Sequence, residues 1–397
     1  MATERRTTLE GVTIADFSHA LAAPYGVAML ADMGADVIKL EEPRGDTMRH
    51  TAGGTWNVMT NRNKRNISLD LKSDKGKEVG KRILSKADVI VESFTPGAVE
   101  RLGFGYEVVR EYNPKIIYCS ISGFGQTGPY RDLRGFDVVA QAASGLMLNT
   151  GDAGRPPVRV GTSAVDLGSG AMLALAIVLA LRDREKTGKG QRIDISLFET
   201  ALSWMSQYAL GYIMTNQLPQ RLGSGFAAFC PYRVYEASDG YVFIGCALDS
   251  MFKSFCETFD LTELKDPKYV KTLPRLENRE AIDDIVQKAM GNYTVKDIVE
   301  QLRKVGVPCS PVNSVKDTLE DPHAEARGIY ASMTHPQAGA VRFTHTPIMR
   351  DGKFAEIYYH SPALGEHTRD ILTELEYSDS EIDGLLSSGV AVAAENE

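Results

Sequence analysis

Asp166 is the residue whose surroundings point most directly to chemistry. It lies in the small-residue segment Val160-Gly-Thr-Ser-Ala-Val-Asp-Leu-Gly-Ser-Gly170, just ahead of a long apolar stretch that predicts a helix ending near residue 184. Free backbone amides and the helix dipole would keep this carboxylate ionised, and the glycines would leave it reachable. The alternative is a helix cap worth about 1 kcal/mol, and the spacing alone favours the cap.

His19 is a second candidate. The sequence has no Gly-x-Ser-x-Gly motif and its seven histidines are scattered, so no serine, cysteine or histidine constellation stands out. His19 nevertheless follows the first predicted strand, at the edge where open α/β sheets bind ligands. A loop histidine that bonds only to backbone explains the position equally well, and both interpretations stay open.

The segment Gly123-Phe-Gly-Gln-Thr-Gly128 matches the dinucleotide fingerprint and follows a predicted strand. A dinucleotide turn must open a helix whose amides meet the pyrophosphate, but Pro129 follows at once and residues 131–135 show no helical period. The true first βα turn, residues 18–24, has no glycine at all. We therefore interpret residues 123–128 as an ordinary glycine-rich loop.

Six cations gather within sixteen residues around the motif Asn63-Lys-Arg65. They are Arg62, Lys64, Arg65, Lys72, Lys75 and Lys77. Such a run is commonly a solvated face, but on an acidic protein it is also the expected landing site for a small polyanion such as a nucleotide phosphate. The residues alone do not decide between these two interpretations.

The composition excludes several function classes. The 397 residues carry 44 basic and 52 acidic side chains, a net charge of −8, without the long basic run that nucleic acid requires. The five cysteines are odd in number and lack a Cys-x-x-Cys pair, which predicts a reducing compartment, no disulfide framework and no metal site. Residues 1–12 lack the apolar stretch of a signal peptide, and the apolar run 171–181 is too short to span a bilayer and predicts a buried helix. We expect a cytoplasmic protein with no membrane or nucleic-acid partner.

Predicted strands and helices alternate along the part of the chain that carries these residues. Period-2 and buried apolar runs predict strands, and 3.6-residue spacing predicts helices between them. The predicted strands are residues 12–16, 36–40, 67–69, 88–92, 115–121 and 191–196, and the predicted helices are 24–33, 76–85 and 106–112. This alternation is typical of an α/β fold with a mostly parallel sheet.

A second, smaller α+β unit follows the first domain, which closes near residue 200. Runs at 232–236 and 241–246 flank Ser238-Asp239-Gly240 and predict a hairpin, and helical patterns follow near residues 250, 280 and 297. Towards the end, Asp351-Gly352 predicts a turn and residues 367–386 predict a helical finish.

Taken in order, a set of motifs resembles the class III CoA-transferases of the CaiB/BaiF type, the family of formyl-CoA transferase and carnitine CoA-transferase. The motifs are Leu9-Glu-Gly-Val, Asp16-Phe17, Gly34-Ala-Asp-Val-Ile-Lys-Leu-Glu41, Asn63-Lys-Arg65, Asp88-Val-Ile-Val-Glu92, Phe94-Thr-Pro-Gly97, Gly123-Phe-Gly-Gln-Thr-Gly-Pro-Tyr130, Asp166, Arg184-Glu-Lys-Thr-Gly-Lys-Gly-Gln191, Gly306-Val-Pro308, Asp321-Pro-His323 and Gly365-Glu-His-Thr368.

The resemblance implies an architecture and an activity. It implies a large Rossmann-like CoA-binding domain (residues 1–200), a linker (201–225), a small α+β domain (226–325) and a segment (326–397) that returns to the large domain. It also implies an interlocked homodimer that moves CoA from an acyl-CoA to a carboxylic acid, through an aspartyl anhydride and an aspartyl-CoA thioester. The CoA thioester is then a substrate, and no tightly bound cofactor is expected.

Carried over by position, the family's nucleophilic aspartate falls on Asp166. The family's CoA contacts fall on Ala20, Leu21, Leu69, Lys72, Ser93, Phe94, Arg101 and Arg134. A carboxyl with the ordinary pKa of about 3.9 is already ionised at neutral pH and needs no base to attack. Backbone amides near Gly168 or in the small-domain loop would stabilise the oxyanions. Glu42 replaces an arginine of formyl-CoA transferase, which puts that nucleotide contact in doubt.

Other departures bear on the substrate. Leu21 replaces a glutamine of formyl-CoA transferase. The glycine-rich small-domain loop of that enzyme has no counterpart here near residues 223–231. Formyl and oxalate are therefore not expected as substrates. Related α-methylacyl-CoA racemases pair their aspartate with a histidine where this chain has Phe136, which argues against the alternative of a racemase or acyl-CoA isomerase. An intact Asp166 argues against a silent dimer subunit.

His19, Phe136 and Phe229 are the possible substrate-site residues. Phe226, Phe229, Tyr232 and Tyr208 would line an apolar pocket for a bulky acceptor acid. Family frequency suggests succinyl-CoA as the donor.

Overall fold

The computed structural model describes residues 8–394, so most of the segment considered for a signal peptide lies outside the described residues. Contacts divide the chain into two units. The large unit comprises the chain up to Leu146, Val160–Ser206 and the chain from Arg327 on. The small unit comprises Met147–Arg159 and Gln207–Ala326.

The strands of the described chain are β1 (Thr13–Asp16), β2 (Asp36–Glu41), β3 (Lys64–Leu69), β4 (Val89–Glu92), β5 (Ile117–Ser122), β6 (Gln191–Ser196), β7 (Tyr232–Ala237), β8 (Gly240–Gly245), β9 (Cys309–Pro311), β10 (Tyr330–His335), β11 (Gly339–Thr344) and β12 (Ala391–Val392).

The α-helices are α1 (Ala22–Asp32), α2 (Thr55–Thr60), α3 (Asp74–Lys86), α4 (Ala98–Leu102), α5 (Tyr106–Tyr112), α6 (Asp137–Ala143), α7 (Ala164–Thr187), α8 (Leu197–Trp204), α9 (Ser206–Thr215), α10 (Asp249–Thr258), α11 (Thr272–Glu277), α12 (Arg279–Met290), α13 (Val295–Lys304), α14 (Val315–Leu319), α15 (Pro322–Arg327), α16 (Thr368–Glu374) and α17 (Asp379–Ser387). Short 3₁₀ turns lie at Thr47–Arg49, Thr51–Gly54, Thr262–Lys265 and Pro267–Tyr269.

The large unit is built on a sheet in the order β12-β3-β2-β1-β4-β5-β6. Strands β1 to β6 are parallel, and β12 pairs antiparallel with β3. This order is that of a doubly wound Rossmann-like sheet, which confirms the predicted α/β fold. The strand order reverses between β1 and β4, so the loops that follow these two strands border the crevice where such sheets bind ligands.

Alternate side chains of the strands enter two hydrophobic layers. On one face Ile14 and Val89 pack with α1 and α7, and on the other Ile67 and Ile90 pack with α3, α16 and α17. Because both faces are covered, the central strands β1, β4 and β5 are mostly apolar, and the strand positions were predicted to within a few residues.

Helix α7 is longer and less buried than predicted. Its 24 residues are long and apolar enough to cross a membrane by length and composition alone. One side packs in the core through Leu173 and Ile177, as core helices do. The opposite side is exposed, with Met172 at 48%, Leu175 at 52% and Leu179 at 57%. In the single chain, the prediction of a buried helix is therefore wrong for the side of α7 that carries these three residues.

The small unit contains the predicted hairpin of β7 and β8, extended by β9 into an antiparallel sheet. Helices α10, α12 and α13 lie where helical patterns were predicted, and their buried side chains Phe255, Ile282 and Ile298 share one cluster with the sheet. The small unit thus packs helices against an antiparallel sheet, which is an α+β architecture.

The predicted helical finish is two helices rather than one. Glu376, between α16 and α17, has a left-handed backbone with φ of +67°. Ser378 then begins α17 with a capping box in which its side chain and that of Glu381 satisfy each other's backbone amides. The turn at Asp351-Gly352 is present, closed by pairing of Arg350 with Lys353.

Candidate active site

A cavity of about 300 Å³, here called the first cavity, lies at the carboxyl ends of β1, β4 and β5. Segments from the first βα turn, from the loop after β4, from the glycine-rich loop and from α7 all line it. It gathers His19, Ala20, Leu21, Ser93, Phe94, Arg134, Phe136 and Asp166. Five predicted CoA-contact residues thus lie in one cavity with the predicted nucleophile.

A second cavity of about 400 Å³ shares His19 and Phe94 with the first. The predicted CoA-contact residues Leu69 and Lys72 line it, together with Glu42. Glu42 is the position that departs from the family's arginine, and an acidic side chain at this cavity repels phosphate rather than binding it.

Two predicted residues lie elsewhere. Arg101 is on α4 and, within residues 8–394, lines neither cavity. Phe229 belongs to the small unit, where its ring packs on Phe226 and Tyr232 with centroids 5.7 and 5.6 Å away. This aromatic cluster accounts for Phe229 by packing alone.

Asp166 lies inside the first turn of α7, which begins at Ala164, and not ahead of the helix as predicted. Ser163 precedes the helix but makes no side-chain cap bond. The cap comes from Asp137, whose Oδ2 accepts the backbone amides of Val165 at 2.8 Å and Asp166 at 3.2 Å. Sequence reasoning missed Asp137, because 28 residues separate it from Val165 and no local pattern joins the two.

The ionisation of Asp166 also differs from the prediction. Burial, together with the nearby carboxylate of Asp137, raises the pKa of Asp166 to about 7. The amides expected to favour the charged form are bonded to Asp137 instead. The expectation of a carboxylate fully ionised at neutral pH is therefore wrong, and the deprotonated, nucleophilic fraction grows as pH rises past 7.

The glycines near Asp166 serve packing rather than ligand access. A Cβ placed on Gly168 would lie 2.1 Å from the Trp204 ring, and one on Gly170 would lie 2.3 Å from the carbonyl oxygen of Ala22. Gly168 lies in the second turn of α7, where amides bond within the helix, so its amide is not available for an oxyanion.

The first βα turn is held in an unusual conformation. Ala20 has φ of +64°, a left-handed backbone that residues other than glycine rarely adopt. Its amide donates to Asp46 Oδ2 at 3.1 Å, which stabilises the turn. Ala20 and Leu21 consequently face the first cavity.

His19 bonds to the side chain of Ser93 through both its backbone and its ring. Its amide donates to Ser93 Oγ at 2.9 Å, its Nδ1 lies 3.2 Å from the same oxygen, and its ring centroid is 5.5 Å from that of Phe94. Burial and the Lys39 ammonium hold the pKa of His19 below its usual value. His19 is therefore neutral at neutral pH and links the two loops that border the crevice.

Both interpretations of the cation run are wrong for its first two members, Arg62 and Lys64. Arg62 is buried 2.6 Å from Asp32, Lys64 is buried 2.9 Å from Asp16, and Arg65 bonds to both Asp36 and Glu374. Arg62 and Lys64 are thus internal ion pairs, neither solvated nor open to a ligand, whereas Arg65 is partly exposed in surface pairs with its two carboxylates. Lys72 is exposed at the second cavity.

Asp16 lies beneath the site at the end of β1, in contact with two buried ammonium groups. Burial alone would raise its pKa, but Lys39 and Lys64 lower it to about 2. Burial lowers the pKa of Lys64 to about 8, and Asp16 opposes that shift. The end of β1 is thereby cross-linked to β2 and β3.

The glycine-rich loop behaves as interpreted. Strand β5 ends at Ser122 and the next helix, α6, begins only at Asp137, so the loop opens no helix for a dinucleotide. Gly123 crosses Gly135 so closely that a Cβ on either would lie 2.6 Å from the other's Cα. This crossing presents the adjacent Arg134 and Phe136 to the first cavity.

Residues 8–394 contain no group of three or more histidine, cysteine or acidic side chains that could hold a metal ion. The five cysteines, all within this range, are free.

Comparisons with known proteins point to one family. The sequence model of CoA-transferase family III matches residues 9–368. Succinyl-CoA:glutarate CoA-transferase of Homo sapiens is 36% identical over 392 residues, covering 96% of this chain and 89% of that protein. Acetyl-CoA:oxalate CoA-transferase of Acetobacter aceti is 35% identical over 352 residues, covering 86% of this chain and 89% of that protein. The crystal structure of a CAIB/BAIF family protein from Brucella suis aligns with a TM-score of 0.85 and 34% identity, covering 94% of this chain and 100% of that one.

Proposed function

This chain belongs to CoA-transferase family III, and from that premise we propose that it moves coenzyme A from an acyl-CoA to a free carboxylic acid with Asp166 as nucleophile. The observation that carries the proposal is the first cavity, which brings Asp166 together with five of the eight positions that match the family's CoA contacts. A carboxylate in a partly desolvated cavity can attack a thioester carbonyl, because attack needs no proton removal.

The first half-reaction begins with attack of Asp166 Oδ on the thioester carbonyl of the donor. The carbon–sulfur bond breaks, leaving an aspartyl acyl anhydride and CoA thiolate. The thiolate then attacks the aspartyl carbonyl of the anhydride, which releases the donor acid as a carboxylate and leaves an aspartyl-CoA thioester.

The second half-reaction reverses these steps with the acceptor. Its carboxylate attacks the aspartyl-CoA thioester, giving a new anhydride and CoA thiolate. The thiolate attacks the acceptor carbonyl, which yields the new acyl-CoA and restores the Asp166 carboxylate. No proton is consumed over the full cycle, so the chemistry requires only that Asp166 start deprotonated.

The site supplies groups for holding CoA. Lys72 and Arg134 are cations at the second and first cavity, suited to phosphate oxygens. Phe94 borders both cavities and offers an aromatic face to the adenine or the pantetheine chain. Arg101 lies on α4 next to Leu102, which lines the second cavity, and we propose that it contacts the outer phosphate groups.

We propose short dicarboxylic acids as the exchanged acyl groups, with succinyl-CoA as a donor. Two observations support this: a relative at 36% identity is named for succinyl-CoA and glutarate, and a cavity of about 300 Å³ is at the small end for ligand sites. A bulky acceptor stays a prediction, and oxalate belongs in the screen because another relative is named for it.

A homodimer is part of the proposal, in the interlocked form that the family resemblance implies. Met172, Leu175 and Leu179 form an exposed apolar face on α7, and Leu202 on α8 is also exposed, which is typical of a protein–protein contact surface. A second copy of the chain would cover this face. Static light scattering on the wild type and on Leu175→Glu tests the dimer. We propose a cytoplasmic location, in keeping with five free thiols.

A racemase or acyl-CoA isomerase is the second candidate, because the first cavity holds a second possible proton carrier. His19 lines it with Asp166, and its lowered pKa leaves the imidazole neutral and able to accept a proton. Incubation of a 2-methylacyl-CoA in deuterium oxide distinguishes the two: a racemase incorporates deuterium at the α-carbon, whereas a transferase does not.

A screen of donor and acceptor pairs tests the main proposal. Succinyl-CoA is mixed with glutarate, oxalate or a bulky aromatic acid, and the new acyl-CoA is measured by chromatography. The proposal expects transfer with at least one pair and its loss in Asp166→Asn. Transfer at the wild-type rate in that variant would overturn the assignment of the nucleophile.

A further inference from the structure

Asp137 and Gln141 form a buried pair next to the first turn of α7. Their exposed fractions are 4% and 0%. Gln141 Nε2 donates to Asp137 Oδ1 at 2.5 Å, and Gln141 Oε1 accepts the backbone amide of Val160 at 2.9 Å. Since Asp137 Oδ2 accepts the amides of Val165 and Asp166, the pair bonds both ends of the segment 160–166.

From this geometry we propose that Asp137, held by Gln141, is a positioning residue that anchors the first turn of α7 and thereby directs the Asp166 carboxylate into the first cavity. The inference rests on the proposed role of Asp166 in CoA transfer. It concerns a residue that acts through another, since Asp137 itself does not line either cavity in the described part of the chain.

The identity of the cap distinguishes this arrangement from an ordinary helix start. A serine or threonine N-cap satisfies the first amides without charge, and Ser163 stands at that position without doing so. The cap comes instead from Asp137, the first residue of α6, which directly follows Phe136 of the first cavity. Two hydrogen bonds thus join the start of α6 to the backbone of Val165 and Asp166.

The charge of Asp137 has a second effect. A carboxylate fixed beside Asp166 disfavours ionisation of Asp166 and contributes to its raised pKa, after burial. Orientation and charge can therefore be separated. Replacement by asparagine removes the charge and one of the two acceptor oxygens, which leaves an amide nitrogen opposite a donor, whereas removal of Gln141 frees Asp137 and keeps the charge.

The test compares Asp137→Asn, Gln141→Leu and the matched control Asp183→Asn, an exposed carboxylate at the far end of α7. For Asp137→Asn we expect the acid limb of the kcat/KM profile to move down by about one pH unit and the plateau rate to fall about tenfold. For Gln141→Leu we expect a lower kcat, with the acid limb of the kcat/KM profile at the same pH as in the wild type. Asp183→Asn should match the wild type in both measurements.

A second readout does not depend on activity. With ¹³C-labelled aspartate carboxyls, the Asp166 signal is identified by its absence in Asp166→Asn, and its titration midpoint is compared between the wild type and Asp137→Asn. A lower midpoint in Asp137→Asn supports the inference. An unchanged midpoint in the folded variant overturns it.

The remaining outcomes are also decisive. If Asp137→Asn fails to fold, Gln141→Leu decides alone: unchanged kcat in that folded variant overturns the anchoring role. If the wild type transfers no CoA with any donor while the carboxyl midpoint still shifts, the proposed function fails and the influence of Asp137 on Asp166 stands.

Discussion

Gly26 in α1 lies so close to Gly170 in α7 that a Cβ on Gly26 would be 2.2 Å from the carbonyl oxygen of Gly170. Helix α1 follows the turn that carries Ala20 and Leu21, and the first turn of α7 carries Asp166. The close crossing therefore holds two walls of the first cavity together. Small residues at this crossing stabilise both the fold and the site.

Gly170→Ala should destabilise the protein by about 1–3 kcal/mol, because its Cβ would meet the backbone oxygen of Ala22, which cannot move aside as a side chain can. Urea unfolding measures this change. The matched control is Gly384→Ala in α17, where nothing lies within 4 Å of an added Cβ, so alanine should be neutral or slightly stabilising. Equal stability of the two variants would contradict the close crossing.

The sheet could be predicted from the sequence because its signals are local. Apolar or alternating runs bounded by turns located β1, β2, β4, β5 and β6 to within a few residues, and a strand followed by a helix implies a parallel neighbour. Residues 123–128 were interpreted correctly for the same reason. Pro129 and the lack of helical spacing in residues 131–135 are both local features of the sequence.

The environment of Asp166 could not be predicted, because it depends on distant pairings. The start of α7 was placed too late, since its cap is Asp137, 28 residues before Val165. The cation run looked available because its partners are remote: Asp16 is 48 residues from Lys64. The predicted site positions came from the family resemblance, and they remain predictions.

Transfer activity should rise with pH across neutrality. The Asp166 pKa of about 7 means that the protonated, non-nucleophilic carboxyl predominates below pH 7 and the carboxylate predominates above it. We expect kcat/KM to climb about tenfold per pH unit well below the midpoint and to level off above pH 8. Rates with saturating acceptor between pH 5.5 and 8.5 check this. A profile flat down to pH 5 would mean that Asp166 has an ordinary pKa.

Asp16→Asn should cost about 3–5 kcal/mol at pH 7, because it leaves Lys39 and Lys64 buried without a counter-charge. The loss should be smaller at high pH: burial lowers the folded-state pKa of Lys64 to about 8 even beside Asp16, removal of Asp16 lowers it further, and a neutral amine needs no partner. Denaturant unfolding at pH 7 and pH 9.5 measures both effects.

The control for that experiment is Glu78→Gln, which breaks an exposed pair with Arg82 on α3. Its effect should stay below about 0.5 kcal/mol at either pH. If Asp16→Asn were equally mild, the buried cluster beneath the site would not be a source of stability.

Lys72→Met should weaken binding of free CoA about tenfold and reduce the salt dependence of binding, because one phosphate contact is lost. Lys75→Met is the control: Lys75 is an exposed lysine of α3 that lines neither cavity within residues 8–394. Isothermal titration at two salt concentrations provides the comparison. Similar affinities for both variants would remove Lys72 from the CoA site.

Intact-protein mass measurement after mixing with succinyl-CoA, in the absence of acceptor, tests the central claim most directly. The account predicts a covalent CoA adduct on the wild type, located on Asp166 by peptide mapping and discharged by adding a dicarboxylic acid. Asp166→Asn should form no adduct. An adduct of equal yield on that variant, or transfer at full rate without Asp166, would contradict the account.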